Sequence, residues 1–185
     1  GVGNFVPSFI IRAHGMPIGE LGWRLALIMG IGGAAGVKLG GFLADKLAVR
    51  NPNWYVRVSA LSLTVSLPLT LLAFLAQDIG SMWPAYIPYL MISAMWLGPS
   101  IAVTHSLVGL RQRAVASAAL FFIINLVGLG LGPLTVGSLS DLMRPTYGDA
   151  DGLRYAIIGT ALTANVWAIL HYLLAARTLK QDMRS

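Results

Sequence analysis

Residues 21–44 read LGWRLALIMGIGGAAGVKLGGFLA, and this stretch decides the class of fold. A helix needs about 20 mainly apolar residues to cross roughly 30 Å of hydrocarbon. The stretch is long enough, and its apolar residues show no strict two-residue alternation, which favours a helix over a barrel strand. The sequence therefore predicts a membrane-spanning helix at this position.

The rest of the chain also consists mainly of long apolar segments. Residues 1–12 are apolar but too short to span a membrane, and they are interpreted as part of a helix whose beginning is missing. The loops between the apolar segments are short and contain helix breakers such as Pro52, Pro145 and Gly148. We therefore predict an all-α transmembrane bundle in one domain of residues 1–185, with one truncated span and five full spans at about 21–44, 57–76, 83–108, 114–139 and 153–176.

The composition excludes several classes of protein. The chain is 56% apolar and 11% charged, with a mean hydropathy of +0.72, whereas soluble domains are about 45–50% apolar and about 25% charged. Water is therefore not its main solvent. The net charge is +6, but the basic residues are scattered singly between apolar runs, which argues against nucleic-acid binding.

Catalysis has little support in the sequence. The chain contains no cysteine, which excludes disulfides, thiolate metal sites and a cysteine nucleophile. His14, His105 and His171 fall on three separate segments, and no metal-binding or paired-carboxylate spacing occurs. We expect a protein that is not an enzyme and that holds no metal and no cofactor.

The distribution of Lys and Arg predicts the orientation of the chain in the membrane. One side of the predicted spans carries four of them, Arg12, Arg24, Arg144 and Arg154. The other side carries eight: Lys46, Arg50, Arg57, Arg111, Arg113, Arg177, Lys180 and Arg184. We expect the second side, and with it the C-terminus, to be cytoplasmic, and the protein to lie in a bacterial inner membrane.

Two features of the 21–44 segment point to contacts inside the membrane. Gly32, Gly36 and Gly40 are four residues apart, so they share one helix face where another backbone can approach closely. This face is either a fixed packing surface or one that slides during a conformational cycle. Lys38 lies well inside the span. It either binds an anionic substrate or takes part in gating, or it extends its amine toward the cytoplasm.

The 83–108 segment carries a polar and aromatic stripe. Its members recur every three or four residues and fall within about 80° of arc on a helix: Tyr86, Tyr89, Ser93, Trp96, Ser100 and Thr104. A water-filled substrate cavity favours such a face, and a helix contact joined by small polar groups is the alternative. Pro88 and Pro99 are expected to bend this helix.

Three further polar residues are candidates for the same cavity. Asn125 lies near the middle of the 114–139 segment and needs a partner, either a neighbouring helix or a ligand. Asn4 and Ser8 are four residues apart on the partial helix and share a face. Asn165 stands alone on the last segment and is interpreted as a packing group.

The stretch from Gly41 to Arg50 reads GFLADKLAVR. It resembles the cytoplasmic G-x-L-x-D-R-x-G-R-R signature of the major facilitator superfamily, which lies between spans two and three and, more loosely, between spans eight and nine. Ala48 and Val49 depart from the signature, and these departures suit the looser C-terminal copy. Residues 113–118, 130–133 and 137–141 resemble the eleventh span of Spinster-like and related organic-anion members. The resemblance covers essentially the whole chain.

This resemblance implies the C-terminal six-helix half of a twelve-span transporter, with a substrate site between two halves. The segments at 1–12, 21–44, 83–108 and 114–139 then face the cavity. Gly41, Asp45, Lys46 and Arg50 form a cytoplasmic gating motif, completed by Arg111 and Arg113. Asp45 is expected beside the start of the 114–139 helix, where it would latch the outward-open state.

The resulting functional hypothesis is a secondary active transporter that works by alternating access. Lys38 and the basic cytoplasmic face favour a small organic anion or an amphiphilic, lipid-like solute. The expected partners are this solute, the lipid bilayer, the N-terminal half and a coupling proton, whose carboxylate belongs to that other half. The alternative is a small membrane scaffold or assembly subunit without transport activity.

Overall fold

The computed structural model describes the backbone of residues 2–182 and the side chains of residues 2–179. All regular structure in this part of the chain is helical. The helices are α1 (Val6–His14), α2 (Ile18–Leu27), α3 (Gly33–Ala48), α4 (Trp54–Phe74), α5 (Ile79–Ala94), α6 (Leu97–Ser106), α7 (Arg113–Asn125) and α8 (Gly132–Asp182).

Short segments of other helix types extend these helices. Tight 3-10 turns at Val2–Phe5 and Leu110–Gln112 precede α1 and α7. Wider π-helical segments at Ile28–Gly32 and Leu126–Leu131 join α2 to α3 and α7 to α8. The helical runs long and apolar enough to cross a membrane are Ile18–Ala48, Trp54–Phe74, Ile79–Ser106 and Leu110–Leu179. The predicted all-α, multi-span fold is confirmed.

The last of these runs reverses direction at Gly148. This glycine has φ 80° and ψ 176°, which are not helical. Twelve residues of straight helix would separate Ser140 from Gly152 by about 18 Å, yet a Cβ atom added at Gly152 would lie 3.3 Å from the carbonyl oxygen of Ser140. Two antiparallel arms follow, a first arm at 132–147 and a second arm at 149–182. The helix continues through Pro145. The loop that the sequence predicts around Pro145 is therefore reduced to a turn at Gly148.

The end of α1 is set by Gly15. Its backbone is left-handed, with φ 65°, and its N–H donates to the carbonyl oxygen of Ile11 at 3.1 Å. This closes α1 with the conformation that glycine adopts without steric cost. Pro17 precedes α2 with an extended backbone, and its carbonyl oxygen accepts the first helical hydrogen bond from the N–H of Leu21 at 3.0 Å.

The predicted 83–108 helix is divided in the structure. Pro99 has no N–H to donate to the carbonyl oxygen of Met95, so the backbone ladder is interrupted one turn before the proline. Accordingly α5 ends at Ala94 and α6 begins at Leu97. Helix α5 continues through Pro88. Only the second of the two prolines therefore coincides with a break.

The glycine face of α3 packs against this break. A Cβ atom added at Gly36 would overlap the carbonyl oxygen of Met91, and one added at Gly40 would overlap that of Met95. A Cβ at Gly32 would lie 3.2 Å from the side chain of Leu90. The predicted close approach of two backbones thus occurs between α3 and α5.

The largest apolar core lies at the end of the bundle where α8 turns, which we call the hairpin end. It combines residues of α1, α2, α4, α5 and both arms of α8, including Phe9, Leu21, Phe74, Tyr86, Val136 and Ile157. A second, smaller cluster of Ala44, Val58 and Met95 joins α3, α4 and the end of α5. The two cores place α4 and α5 at the centre of the bundle.

Candidate substrate cavity

The structure divides the polar and aromatic stripe of α5 and α6 into parts with different surroundings. At the hairpin end, Tyr86 is 1% exposed, and its ring packs edge-on against Phe74 at 6.1 Å between centroids. Tyr89 also meets Phe74, at 5.9 Å. This part of the stripe therefore belongs to the apolar core and its edge.

Beyond the break at Met95, the stripe faces other helices. The Ser100 hydroxyl donates to the carbonyl oxygen of Trp96 at 2.7 Å and lies 2.7 Å from the Tyr172 hydroxyl on the second arm of α8. Ser59 of α4 also reaches the Trp96 carbonyl, at 3.5 Å. Thr104 donates to the Ser100 carbonyl at 2.9 Å. Around Ser100 the stripe takes part in a polar helix contact, and its place in a substrate cavity stays a prediction.

A groove of about 1090 Å³ opens between α5 and the two arms of α8. Tyr89 and Ser93 of the predicted cavity line it, and the Ser93 hydroxyl donates to the carbonyl oxygen of Leu90 at 3.0 Å. Most of its wall is apolar. The other polar lining groups are Thr135, Thr160, Thr163 and Asn165.

Sequence reasoning missed the threonines of this groove. Thr160 and Thr163 are three residues apart on the second arm, a spacing that places them on one helix face and provided a usable signal. The sequence predicts a packing role for Asn165. Its amide donates to the Ser66 hydroxyl of α4 at 3.1 Å, and the residue also lines the groove. Asn165 therefore lines the groove and also takes part in the contact between α8 and α4.

The remaining candidates lie on the surface of the described chain. Asn4 and Lys38 are exposed and Ser8 is half-buried. The exposed Asn125 donates to the carbonyl oxygen of Phe121 at 2.7 Å, within its own helix. Lys38 follows Gly36 by two residues, so it projects away from the face that packs on α5. These four residues do not line the groove, and their place in a cavity stays a prediction.

The proposed gating motif lies where α3 meets α4. The Tyr55 hydroxyl donates to the Asp45 carboxylate at 2.9 Å. The expected contact of Asp45 with Arg111 or Arg113 is not formed: among residues with described side chains, Asp45 makes no ion pair. Lys46 and Arg50 of the motif are exposed, and so are Arg111 and Arg113 around the start of α7.

Gly41 of the motif has a packing role. A Cβ atom added at Gly98, at the start of α6, would lie 3.2 Å from the Cα of Gly41 and 2.9 Å from the carbonyl oxygen of Val37. Two glycines thus meet where α3 crosses α6. In the described part of the chain, no three His, Asp or Glu side chains lie close enough together to hold a metal ion.

Comparison with known proteins gives similarity over nearly the whole chain. An MFS-type efflux pump from Mycolicibacterium smegmatis is 36% identical over 174 residues, which are 94% of this chain and 40% of that protein. No protein-family profile matches the chain. The chain therefore spans less than half the length of this curated relative.

Solved structures agree with this result. Two inward-facing structures of a bacterial homologue of the human lysosomal transporter Spinster, one occupied and one unoccupied, superpose with a TM-score of 0.86 at 26% identity. They match 96% and 98% of this chain and 45% of the homologue. Fold and sequence similarity together identify the chain as an integral membrane protein and a half-length relative of the major facilitator superfamily of transporters.

Proposed function

We propose that the chain forms the C-terminal half of a secondary active transporter that works by alternating access. The observation that carries the proposal is the match of almost the entire chain to about 45% of an inward-facing transporter, at a TM-score of 0.86. In this superfamily two such halves rock about a central site. A second half opposite the exposed faces of α3 and α7 completes the mechanism.

The groove supports an amphiphilic solute. Its walls are largely apolar, and a few hydroxyl and amide groups lie among them, which is the usual composition of sites for small organic ligands. Lys38 does not line the groove, but inside a membrane its charge is costly unless it is used, and an anionic headgroup in the central site would use it. The proposed solute is a small organic anion or an anionic amphiphile.

The proposed arrangement places the C-terminus in the cytoplasm of a bacterial cell, with the protein in the inner membrane, because eight Lys and Arg residues lie on that side. Proton-coupled symport would need a titratable carboxylate within the membrane. We place that group in the other half, since Asp45 and Asp141 lie near helix ends. Asp45 and its basic neighbours would act as the cytoplasmic latch.

Thiol labelling of the full-length protein from each side of the membrane tests alternating access. The chain contains no cysteine, so Ser93→Cys reports the groove once cysteines elsewhere have been replaced. We expect an impermeant reagent to reach Ser93→Cys in inside-out vesicles, and solute to change the labelling rate. Ser59→Cys, at a fully buried position, is the protected control. Protection of Ser93→Cys on both sides, with and without solute, would favour a scaffold instead.

Proteoliposome uptake tests the solute class. A fluorescent single-chain anionic amphiphile and a small dicarboxylate serve as probes under an imposed proton gradient. Lys38→Gln is expected to raise KM for the accepted probe, and Arg177→Gln, which removes an exposed charge near the helix end, is the matched control. Equal KM values for the two variants would remove Lys38 from the substrate site.

The latch has its own test. Asp45→Asn is expected to increase cytoplasmic accessibility of Ser93→Cys, because it removes the charge that holds the outward-open state closed on that side. Unchanged transport and unchanged accessibility in Asp45→Asn would show that Asp45 does not act as a latch.

A further inference from the structure

Three segments meet around one aromatic ring at the hairpin end. Phe9 of α1 is fully buried and packs against Phe74 of α4 at 5.4 Å between ring centroids. The His14 ring contacts Phe9 edge-on at 5.6 Å. The Arg154 guanidinium, from the second arm of α8, lies 5.6 Å from the centre of the same ring. The end of α1 is therefore docked on the bundle through Phe9 and His14.

The charged groups around this contact have unequal burial. Arg154 has a side chain only 13% exposed, and it pairs with Asp151 on its own helix. Arg12 pairs with Asp149 at 3.2 Å, and both side chains are more than 40% exposed. Exposed ion pairs contribute little. Docking of α1 thus depends mainly on its buried apolar residues Val6, Phe9 and Ile10, with the half-buried His14 at its end.

One ring nitrogen of His14, Nε2, is buried in this contact and has no hydrogen-bond partner among the described residues. Burial and, next, the positive charge of Arg154 lower the pKa of His14 below its ordinary value of 6.5, while Asp78 acts in the opposite direction. Asp78 is already engaged, because the Ser81 hydroxyl and amide both donate to its carboxylate.

We propose that His14 is a pH-sensitive latch, which holds the end of α1 on Phe9 and Arg154 when neutral and releases it when protonated. An imidazolium here would place a second cation, with its Nε2 buried, beside Arg154. On the hairpin, Asp151 is already paired with Arg154 itself. A buried, charged N–H without an acceptor is costly. This inference goes beyond transport and does not depend on it.

The direction of the pH effect follows from linkage. Because docking lowers the pKa of His14, the undocked form binds protons more readily than the docked form. Docking is therefore fully favoured above about pH 6.5, the ordinary value for histidine. It weakens as the pH falls through that value and toward the pKa of docked His14.

Labelling of a buried cysteine on α1 measures this release. Ile10 is fully buried, so Ile10→Cys in the full-length, otherwise cysteine-free protein reacts only when α1 undocks. Ile18→Cys, at a position 77% exposed just beyond the Gly15 turn, corrects for the pH dependence of the thiol itself. We expect the ratio of the two labelling rates to rise as the pH is lowered from about 8 to about 5. Val6→Cys, on the same buried face, replaces Ile10→Cys if that variant does not fold.

Two substitutions make the result specific to His14. His14→Gln cannot be protonated, so its ratio should stay flat over this range, and His14→Asn serves if the glutamine variant is unstable. Asp78→Asn removes the charge that favours the docked imidazolium and should therefore enlarge the rise of the ratio at low pH when His14 is present. A flat ratio with His14 present, or an equal rise in His14→Gln, would overturn the proposal.

Discussion

Two glycine-rich segments of this chain resemble each other in sequence and differ in their surroundings. Gly36 and Gly40 of α3 are buried against the backbone of α5, where added Cβ atoms would overlap the carbonyl oxygens of Met91 and Met95. Gly128 and Gly130, in the π-helical segment between α7 and α8, have no described atom within 4 Å of an added Cβ. The first pair is needed for packing among the described residues, and the second pair is not.

The difference shows that glycine spacing in a membrane helix does not by itself identify a packed face. Helix α7 contains no buried residue within the described chain, and the π-helical segment that follows it is equally open. Interrupted helices near the middle of the membrane are where transporters of this kind place their sites and joints. A glycine-rich sequence is therefore packed in α3 and open after α7.

The largest expected effect comes from filling the packed glycine face. Gly40→Leu should lower the free energy of unfolding by about 3 kcal/mol or more, because the nearest atom is backbone and cannot move aside. Gly33→Leu, on the same helix, is the matched control, since a Cβ there meets no atom within 4 Å. Thermal unfolding in detergent, followed by tryptophan fluorescence, measures both. Equal losses in the two variants would contradict the packing assigned to α3 and α5.

A smaller effect is expected at the polar contact around Ser100. Ser100→Ala and Tyr172→Phe should each lower stability by about 1 kcal/mol, since each removes one side of the 2.7 Å hydrogen bond. A double-mutant cycle should give a coupling of about 0.6 kcal/mol, the usual value for such bonds in membranes. Strict additivity would mean that the two hydroxyls do not act on each other.

The smallest effect is expected at the open glycines. Gly128→Ala should change stability by no more than about 1 kcal/mol, and in the favourable direction, because alanine is the better helix former. Gly36→Ala, on the packed face, provides the contrast and should destabilise. A large loss for Gly128→Ala in the full-length protein would indicate that another helix of that protein packs closely on this glycine.

The sequence predicted the fold class well, whereas the membership of a substrate cavity stays a prediction. Long apolar runs determine spanning helices because the membrane leaves the backbone no other way to satisfy its polar groups. The polar and aromatic stripe on α5 and α6 is a periodic feature of the sequence. Its periodicity does not reveal which groups the stripe contacts. Tyr89 and Ser93 line a groove, whereas Tyr86 lies in the core and Ser100 faces the second arm of α8.

The sequence by itself determined the membrane setting, the helical segments and the glycine spacing that permits close backbone contact, since these depend on composition and local geometry. Only the tertiary structure decided which glycines are covered, where the long last helix turns back, and which polar groups share the groove. Those properties depend on the arrangement of neighbouring helices, and a helix face with one pattern of small and polar residues suits a partner helix, a ligand or lipid equally well.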